Sequence, residues 1–242
     1  MIYIRSIIFN ILFFTITAFF TLLATIALIF PKKASIKISY WWSFTILTLL
    51  KYICQITYNV KGQENIPQNQ NVIFASKHQS AWETVAYQYI LKNCVFMFKK
   101  ELTFIPLFGL TLLKAGNIVV DRGNATKTTL QKLNTKFNDR LKTRNIIIFP
   151  EGTRTKPNTK VKYKSGLSII TQTMQNKWVV PIAINSGLFW PKHGFLKHKG
   201  TIEVHILPPI PTGKLSKEQF QEILINEIEN EEKIICHSDQ YI

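Results

Sequence analysis

His78 and Glu83 stand five positions apart in Ala75-Ser76-Lys77-His78-Gln79-Ser80-Ala81-Trp82-Glu83-Thr84. On one continuous helix that spacing turns two side chains about 140° apart, so they would not face each other. Ser80-Ala81-Trp82-Glu83, however, reads as a capping box, with Ser80 at the N-cap and Glu83 reaching back. A helix that begins at Ser80 leaves His78 in the preceding loop and turns Glu83 toward that loop. The carboxylate then holds one ring nitrogen and leaves the other to take a proton. Well downstream, Phe149-Pro150-Glu151-Gly152-Thr153-Arg154 supplies a Gly turn and an arginine. A turn glycine lets backbone N–H groups approach a phosphate, and the guanidinium fork matches its oxygens. A base in one segment and a phosphate cradle in the other point to transfer onto a hydroxyl of a phosphorylated acceptor. The plain readings are a loop histidine with a helix cap, a Pro-Glu-Gly turn and an Asp121–Arg122 surface pair.

Short apolar runs alternate with helical stretches after Tyr58. Strands are expected at 70–75, 95–98, 117–120, 145–149, 179–184 and 201–207. Helices are expected at 81–92, 108–115, 125–143 and 166–176, with a last one from 216 to about 235. This alternation predicts an α/β fold, a mixed and largely parallel sheet flanked by helices. Ile146-Ile147-Ile148-Phe149 is apolar on both faces and suits a central strand. Arg122 and Glu151 each follow a strand candidate, which sets both at one sheet edge. In the helix from 125, Leu130, Leu133, Phe137 and Leu141 mark the core face. Lys132, Lys136, Arg140 and Arg144 mark a basic stripe, read as a solvated face or a contact for acidic headgroups.

Lys and Arg number 30 against 14 Asp and Glu, a formal net charge of +16 that favours an anionic partner. Residues 6–30 contain no charge. As a helix at about 1.5 Å per residue they reach roughly 37 Å, enough to cross a bilayer core of about 30 Å. A single span and a helix pair dipping into one leaflet both fit. Residues 38–58 carry Tyr40, Trp41 and Trp42 at the start and Lys51 within, which suits an interfacial or re-entrant helix. The expected division is therefore a membrane anchor over 1–58, with hydrophobic N-terminal helices, and a catalytic domain over 59–242. Lys32, Lys33 and Lys37 outweigh Arg5 and the amino terminus, placing the catalytic domain on the cytoplasmic side of a bacterial membrane. Cys54, Cys94 and Cys236 form no metal or redox pattern, and His193 and His198 have no carboxylate or Cys beside them. Neither metal nor cofactor is implied.

Four blocks stand in a fixed order. The His78–Glu83 segment comes first. Lys99-Lys100-Glu101-Leu102 through Gly116-Asn117-Ile118-Val119-Val120-Asp121-Arg122 comes second, Phe149 to Arg154 third, and Val180-Pro181-Ile182-Ala183 last. In that order they resemble the glycerolipid acyltransferase family, most closely its 1-acylglycerol-3-phosphate branch. The resemblance covers residues 71–184, and its third block is the most specific. It implies His78 as general base and Glu83, where the family usually has Asp, as the acid that orients it. It implies Arg122, Gly152, Arg154 and Lys100 at the acceptor phosphate, with Glu151 and Thr153 supporting the motif. It further implies lysophosphatidic acid as acceptor, acyl-CoA or acyl carrier protein as donor, phosphatidic acid as product and a lipid bilayer as setting. Glycerol-3-phosphate or another lysophospholipid is the rival acceptor. A tethered basic module that binds lipid or nucleic acid without catalysis is the rival class. Nucleic acid is not expected, because basic residues interleaved with stacking aromatics are not evident. No Gly-x-Ser-x-Gly elbow is present, which disfavours a covalent acyl-enzyme.

Overall fold

Ile146, Ile147 and Ile148 are all buried, as a strand apolar on both faces requires when helices cover both sides of a sheet. The computed structural model describes residues 1–120, 127–174 and 176–238, with the side chains of 127–132 and 238 left aside. Its β-strands are β1 Ile56–Lys61, β2 Ile73–Ser76, β3 Cys94–Lys99, β4 Ile118–Val120, β5 Asn145–Ile148, β6 Trp178–Ile184, β7 Gly200–Ile206 and β8 Ile210–Pro211. They form one sheet in the order β1-β7-β6-β2-β5-β3-β4, with β8 also on β6. Neighbours from β6 to β4 are parallel, while β7 and β8 run antiparallel to β6. The mixed, largely parallel sheet expected from the alternation is thus the observed one.

Side chains alternate between two cores, as a period of two dictates. Phe74 and Ile147 face one layer, which holds α2 Lys32–Leu49 and α3 Trp82–Ile90. Ile73, Ala75, Ile146 and Ile148 face the other. That second layer holds α5 Lys127–Leu141, α6 Gly166–Gln172 and α8 Lys217–Ser238. Two short helices, α4 Phe108–Lys114 and α7 Ser186–Phe189, lie outside these layers' long helices.

β1 lies in what reads as the tail of an apolar helix. The helix instead ends at Gln55, whose backbone is left-handed (φ 58°), and the chain pairs with β7 from Ile56↔Gly200 to Lys61↔His205. Residues 56–58 therefore belong to the sheet. The basic stripe is also reordered. Arg144 is buried, its guanidinium donating to the Ala115 carbonyl at 2.6 Å and to that of Cys94. It ties α5 to β3 and the end of α4 rather than lining a solvated face, whereas Lys136 stays exposed. Lys132 and Leu130 lie outside the described side chains.

The first helix, α1 Ile2–Ile26, continues to Ile29 as a segment long and apolar enough to cross a membrane (mean hydropathy 2.4). It is bound along one side only. Ile4, Ile7, Ile11, Phe14, Leu22 and Ile26 are exposed at spacings that sum to one helical face. On the other side Ser6 Oγ accepts from the Lys197 N–H at 2.9 Å, and Phe9 meets Trp190 edge to face at 5.4 Å. Thr17 Oγ1 accepts from the indole of Trp42 at 3.1 Å. Helix α2 returns beside it, with Trp41 exposed and Trp42 turned inward.

Candidate active site

β2 ends at Ser76 and α3 starts at Trp82, so Lys77 to Ala81 form a loop at the carboxyl edge of the sheet, where ligands of such folds bind. Glu83 does reach back into it. Its carboxylate accepts from the N–H groups of Gln79 at 3.2 Å and Ser80 at 3.1 and 3.0 Å. The Ser186 hydroxyl donates to it as well. Ser80 Oγ accepts from Trp82 N–H at 3.0 Å, and Ala81 takes the N-cap position, one residue later than the capping box predicts. One Glu83 oxygen, Oε2, lies 3.2 Å from His78 Nδ1. The cap and the His–Glu pair are one structure.

The imidazole is fixed in plane as well as in direction. It stacks on Phe149 with centroids 3.8 Å apart and 14° between planes. The third block also grips the His78 backbone. Glu151 Oε2 accepts its N–H at 2.9 Å, and its carbonyl accepts from Thr155 N–H at 2.8 Å. Gly152 carries φ +70°, the left-handed conformation that glycine adopts without strain, closing the turn with N–H to Phe149 O at 2.9 Å.

Behind the loop lies a group with no counterpart in the sequence reading. Lys77 is fully buried, its ammonium 3.2 Å from Glu151, 2.5 Å from Glu229 and 2.8 Å from Glu232. Burial works to lower its pKa, but the three carboxylates more than offset that and hold it above the usual lysine value. Burial pushes the Glu151 carboxyl up to about 7, against the pull of Lys77 and its hydrogen bonds. Gln79 extends the tie, donating to Glu232 at 2.6 Å and accepting from Gly187 N–H at 2.9 Å. The loop at the carboxyl edge of the sheet is thus bolted to α8. Lys77→Met leaves three carboxylates without their cation, and removing one partner of a buried ion pair costs about 3–5 kcal/mol. Denaturant unfolding of the detergent-solubilised protein should show that loss. A change below about 1 kcal/mol, the value of an exposed pair, would mean that the cluster does not hold the loop.

His78 lines a cavity of about 590 Å³ together with Gly152, Thr153, Arg154, Lys192 and His193. Nε2 of His78 has no protein partner among the described residues. Arg154 makes no ion pair among them either, and Lys192 donates to the Arg154 carbonyl at 2.8 Å. Away from this polar mouth the walls are apolar, including Phe20, Trp42, Phe98, Phe108 and Leu112 from α1, α2, β3 and α4. A second groove of about 940 Å³, between residues 162–165 and α8, contains none of the motif residues.

Of the residues singled out in the sequence, His78, Gly152, Thr153 and Arg154 meet in this cavity, with Glu83 and Glu151 buried behind His78. Lys100 starts an exposed 3₁₀ turn, and its neighbour Lys99 lines the cavity instead. Arg122 falls in 121–126, outside the described residues. Sequence reasoning missed Lys192, although the basic pair in Pro191-Lys192-His193-Gly194 was a usable signal. It also missed Ser186 and the Lys77 cluster.

A family model described as "Acyltransferase" matches residues 57–185. A 1-acyl-sn-glycerol-3-phosphate acyltransferase of Pseudomonas aeruginosa is 37% identical over 191 residues, 78% of this chain and 73% of that protein. A human 1-acyl-sn-glycerol-3-phosphate acyltransferase alpha is 29% identical over 69% of this chain and 59% of its own length. The crystal structure of the LPA acyltransferase PlsC from Thermotoga maritima superposes with TM-score 0.77 at 21% identity, covering 97% of this chain and 98% of that one. At that identity it speaks for the fold.

Proposed function

This chain belongs to the acyltransferase family, and we propose on that premise that it makes phosphatidic acid for phospholipid biosynthesis, acylating the sn-2 hydroxyl of 1-acylglycerol-3-phosphate. One observation carries the reading. His78, whose Nε2 has no partner among the described residues, lines the same cavity as Arg154 and Lys192, and that cavity runs on between largely apolar walls. A phosphate at the cations and an acyl chain along the walls leave the acceptor hydroxyl beside the base. Holding it there supplies much of the rate.

In this mechanism His78 Nε2 takes the hydroxyl proton as that oxygen attacks the thioester carbonyl. Glu83 holds the Nδ1–H and stabilises the imidazolium. Collapse of the tetrahedral intermediate breaks the C–S bond, and the departing thiolate takes the proton back from His78. The donor is acyl-CoA or acyl carrier protein. Arg154 and Lys192 bind the acceptor phosphate, with Lys99, Lys100 and Arg122 as further cations of the second block.

The helices that precede β1 serve as the membrane anchor, and the catalytic unit begins with β1 at Ile56. Contacts of α1 with the catalytic unit at Ser6 and Phe9, and with α2 at Thr17, favour a helix pair held in one leaflet, and the bias of Lys32, Lys33 and Lys37 supports the cytoplasmic side of a bacterial membrane. An acceptor panel tests the substrate. Lysophosphatidic acid should exceed glycerol-3-phosphate and lysophosphatidylcholine in kcat/KM, because only it offers both phosphate monoester and acyl chain. Preference for glycerol-3-phosphate would reassign the acceptor.

Glu83→Gln separates charge from shape. With the amide oxygen at the position that serves Gln79, Ser80 and Ser186, the amide NH₂ faces His78 Nδ1 and makes it accept. The ring proton then moves to Nε2, the atom that must be free. Turnover should fall by roughly 10²–10⁴-fold, measured as kcat with lysophosphatidic acid. A kcat within about threefold of the parent would reduce Glu83 to a helix cap.

A further inference from the structure

Helix α4 separates two environments. Its inner face, Phe108, Thr111 and Leu112, lines the cavity. Its outer face carries Leu107, Leu110 and Leu113, which are 45%, 55% and 45% exposed. The preceding turn adds Leu102, Phe104 and Ile105, with Phe104 at 71%. Soluble surfaces rarely gather so many large apolar side chains without a partner.

The local backbone is braced to hold them outward. Leu107 sits at φ +62°, a strained conformation that a leucine seldom adopts. Gly109 lets α4 press against the turn, since a Cβ there would stand 2.2 Å from the Thr103 carbonyl oxygen. The apolar ridge is therefore a built feature and not a slack loop.

What covers it follows from its neighbours. Helix α4 touches α1, whose outward face is the apolar stripe from Ile4 to Ile26. The contact sets the ridge beside that helix. Lys114 stands at its far end, where a long stem and charged head suit an anionic lipid headgroup. We infer that the ridge over 102–113 inserts into the bilayer beside α1, so that the catalytic unit has its own lipid contact independent of the N-terminal anchor. This rests on the reading of α1 as membrane-bound and goes beyond it. It sets the depth of the cavity: the inner face of α4 then stands at acyl-chain level, with lipid against its outer face.

The native Cys54, Cys94 and Cys236 are all buried, so an introduced surface cysteine can be labelled selectively. Leu110→Cys, Ile11→Cys on α1 and Ile223→Cys on α8 each receive a polarity-sensitive NBD fluorophore. Each full-length variant, checked for retained transferase activity, is bound to phosphatidylcholine–phosphatidylglycerol vesicles with and without doxyl-labelled lipid. The labels at positions 11 and 110 should shift to the blue and lose most of their emission to the doxyl quencher, while that at 223 does neither. Quenching at 11 but not at 110 overturns the inference and leaves the anchor reading standing. Quenching at neither overturns both. A label at 110 that is blue-shifted without vesicles and immune to the lipid quencher means a second copy covers the ridge, which also overturns it.

Discussion

His78→Ala is expected to lower kcat for phosphatidic acid formation by about 10²–10⁴-fold, the usual worth of a positioned general base. The protein should stay folded and membrane-bound, because the loop is held by other atoms. Its backbone N–H and carbonyl are fixed by Glu151 and Thr155. Gln79 and Ser80 are held by Glu83, and Lys77 by the α8 carboxylates. What the substitution removes is the imidazole, with its stack on Phe149 and its contact to Glu83. KM for lysophosphatidic acid should change little, since its phosphate is assigned to Arg154 and Lys192. The checks are kcat and KM on vesicle-borne acceptor beside the thermal melt of the same preparation. A folded variant turning over within about tenfold of the parent would remove His78 from the mechanism.

Arg154→Lys is expected to cost roughly 10- to 150-fold in kcat/KM for lysophosphatidic acid. That range is a hydrogen bond to a charged group, about 1.5–3 kcal/mol, expressed as a rate ratio. Lysine keeps the charge but loses the planar fork, so the substitution reads two-point contact and not simple attraction. Lys192 lies beside Arg154 and keeps the site positive, which confines the effect to geometry. An acceptor without the phosphate, such as a monoacylglycerol, should be poor with the parent and nearly indifferent to the change. Equal proportional losses on both acceptors would mean that Arg154 serves the fold or the donor, and the phosphate site would pass to Lys192, Lys99 and Arg122.

How much of this was legible depended on how local each signal was. Strand β5 was legible because a strand buried on both faces writes an unbroken apolar run, Ile146 to Ile148. Glu83 was legible because a capping interaction spans three residues. Strand β1 was not: it follows an apolar helix with no Gly or Pro between them, and its partner β7 lies some 144 positions away. The break is made by Gln55 in a left-handed conformation, which no composition rule marks. Nor could Lys77 announce its partners. Glu229 is 152 positions distant and sits on α8, at the far end of the chain. Arg144 illustrates the converse. Spacing groups it with Lys136 and Arg140, yet it lies just past the last turn of α5 and finds two carbonyls to satisfy. Periodicity reports a face, and tertiary contact decides which members of that face meet water.

The most direct test of the central claim is a product balance with purified full-length protein in vesicles, lysophosphatidic acid and a labelled acyl thioester. Phosphatidic acid carrying the label at sn-2 should form in step with released thiol, at equal amounts throughout the time course. Thiol release without labelled phosphatidic acid would make the protein a thioester hydrolase, and no turnover of the thioester at all would make the His78–Glu83 pair a structural cap in a lipid-binding module.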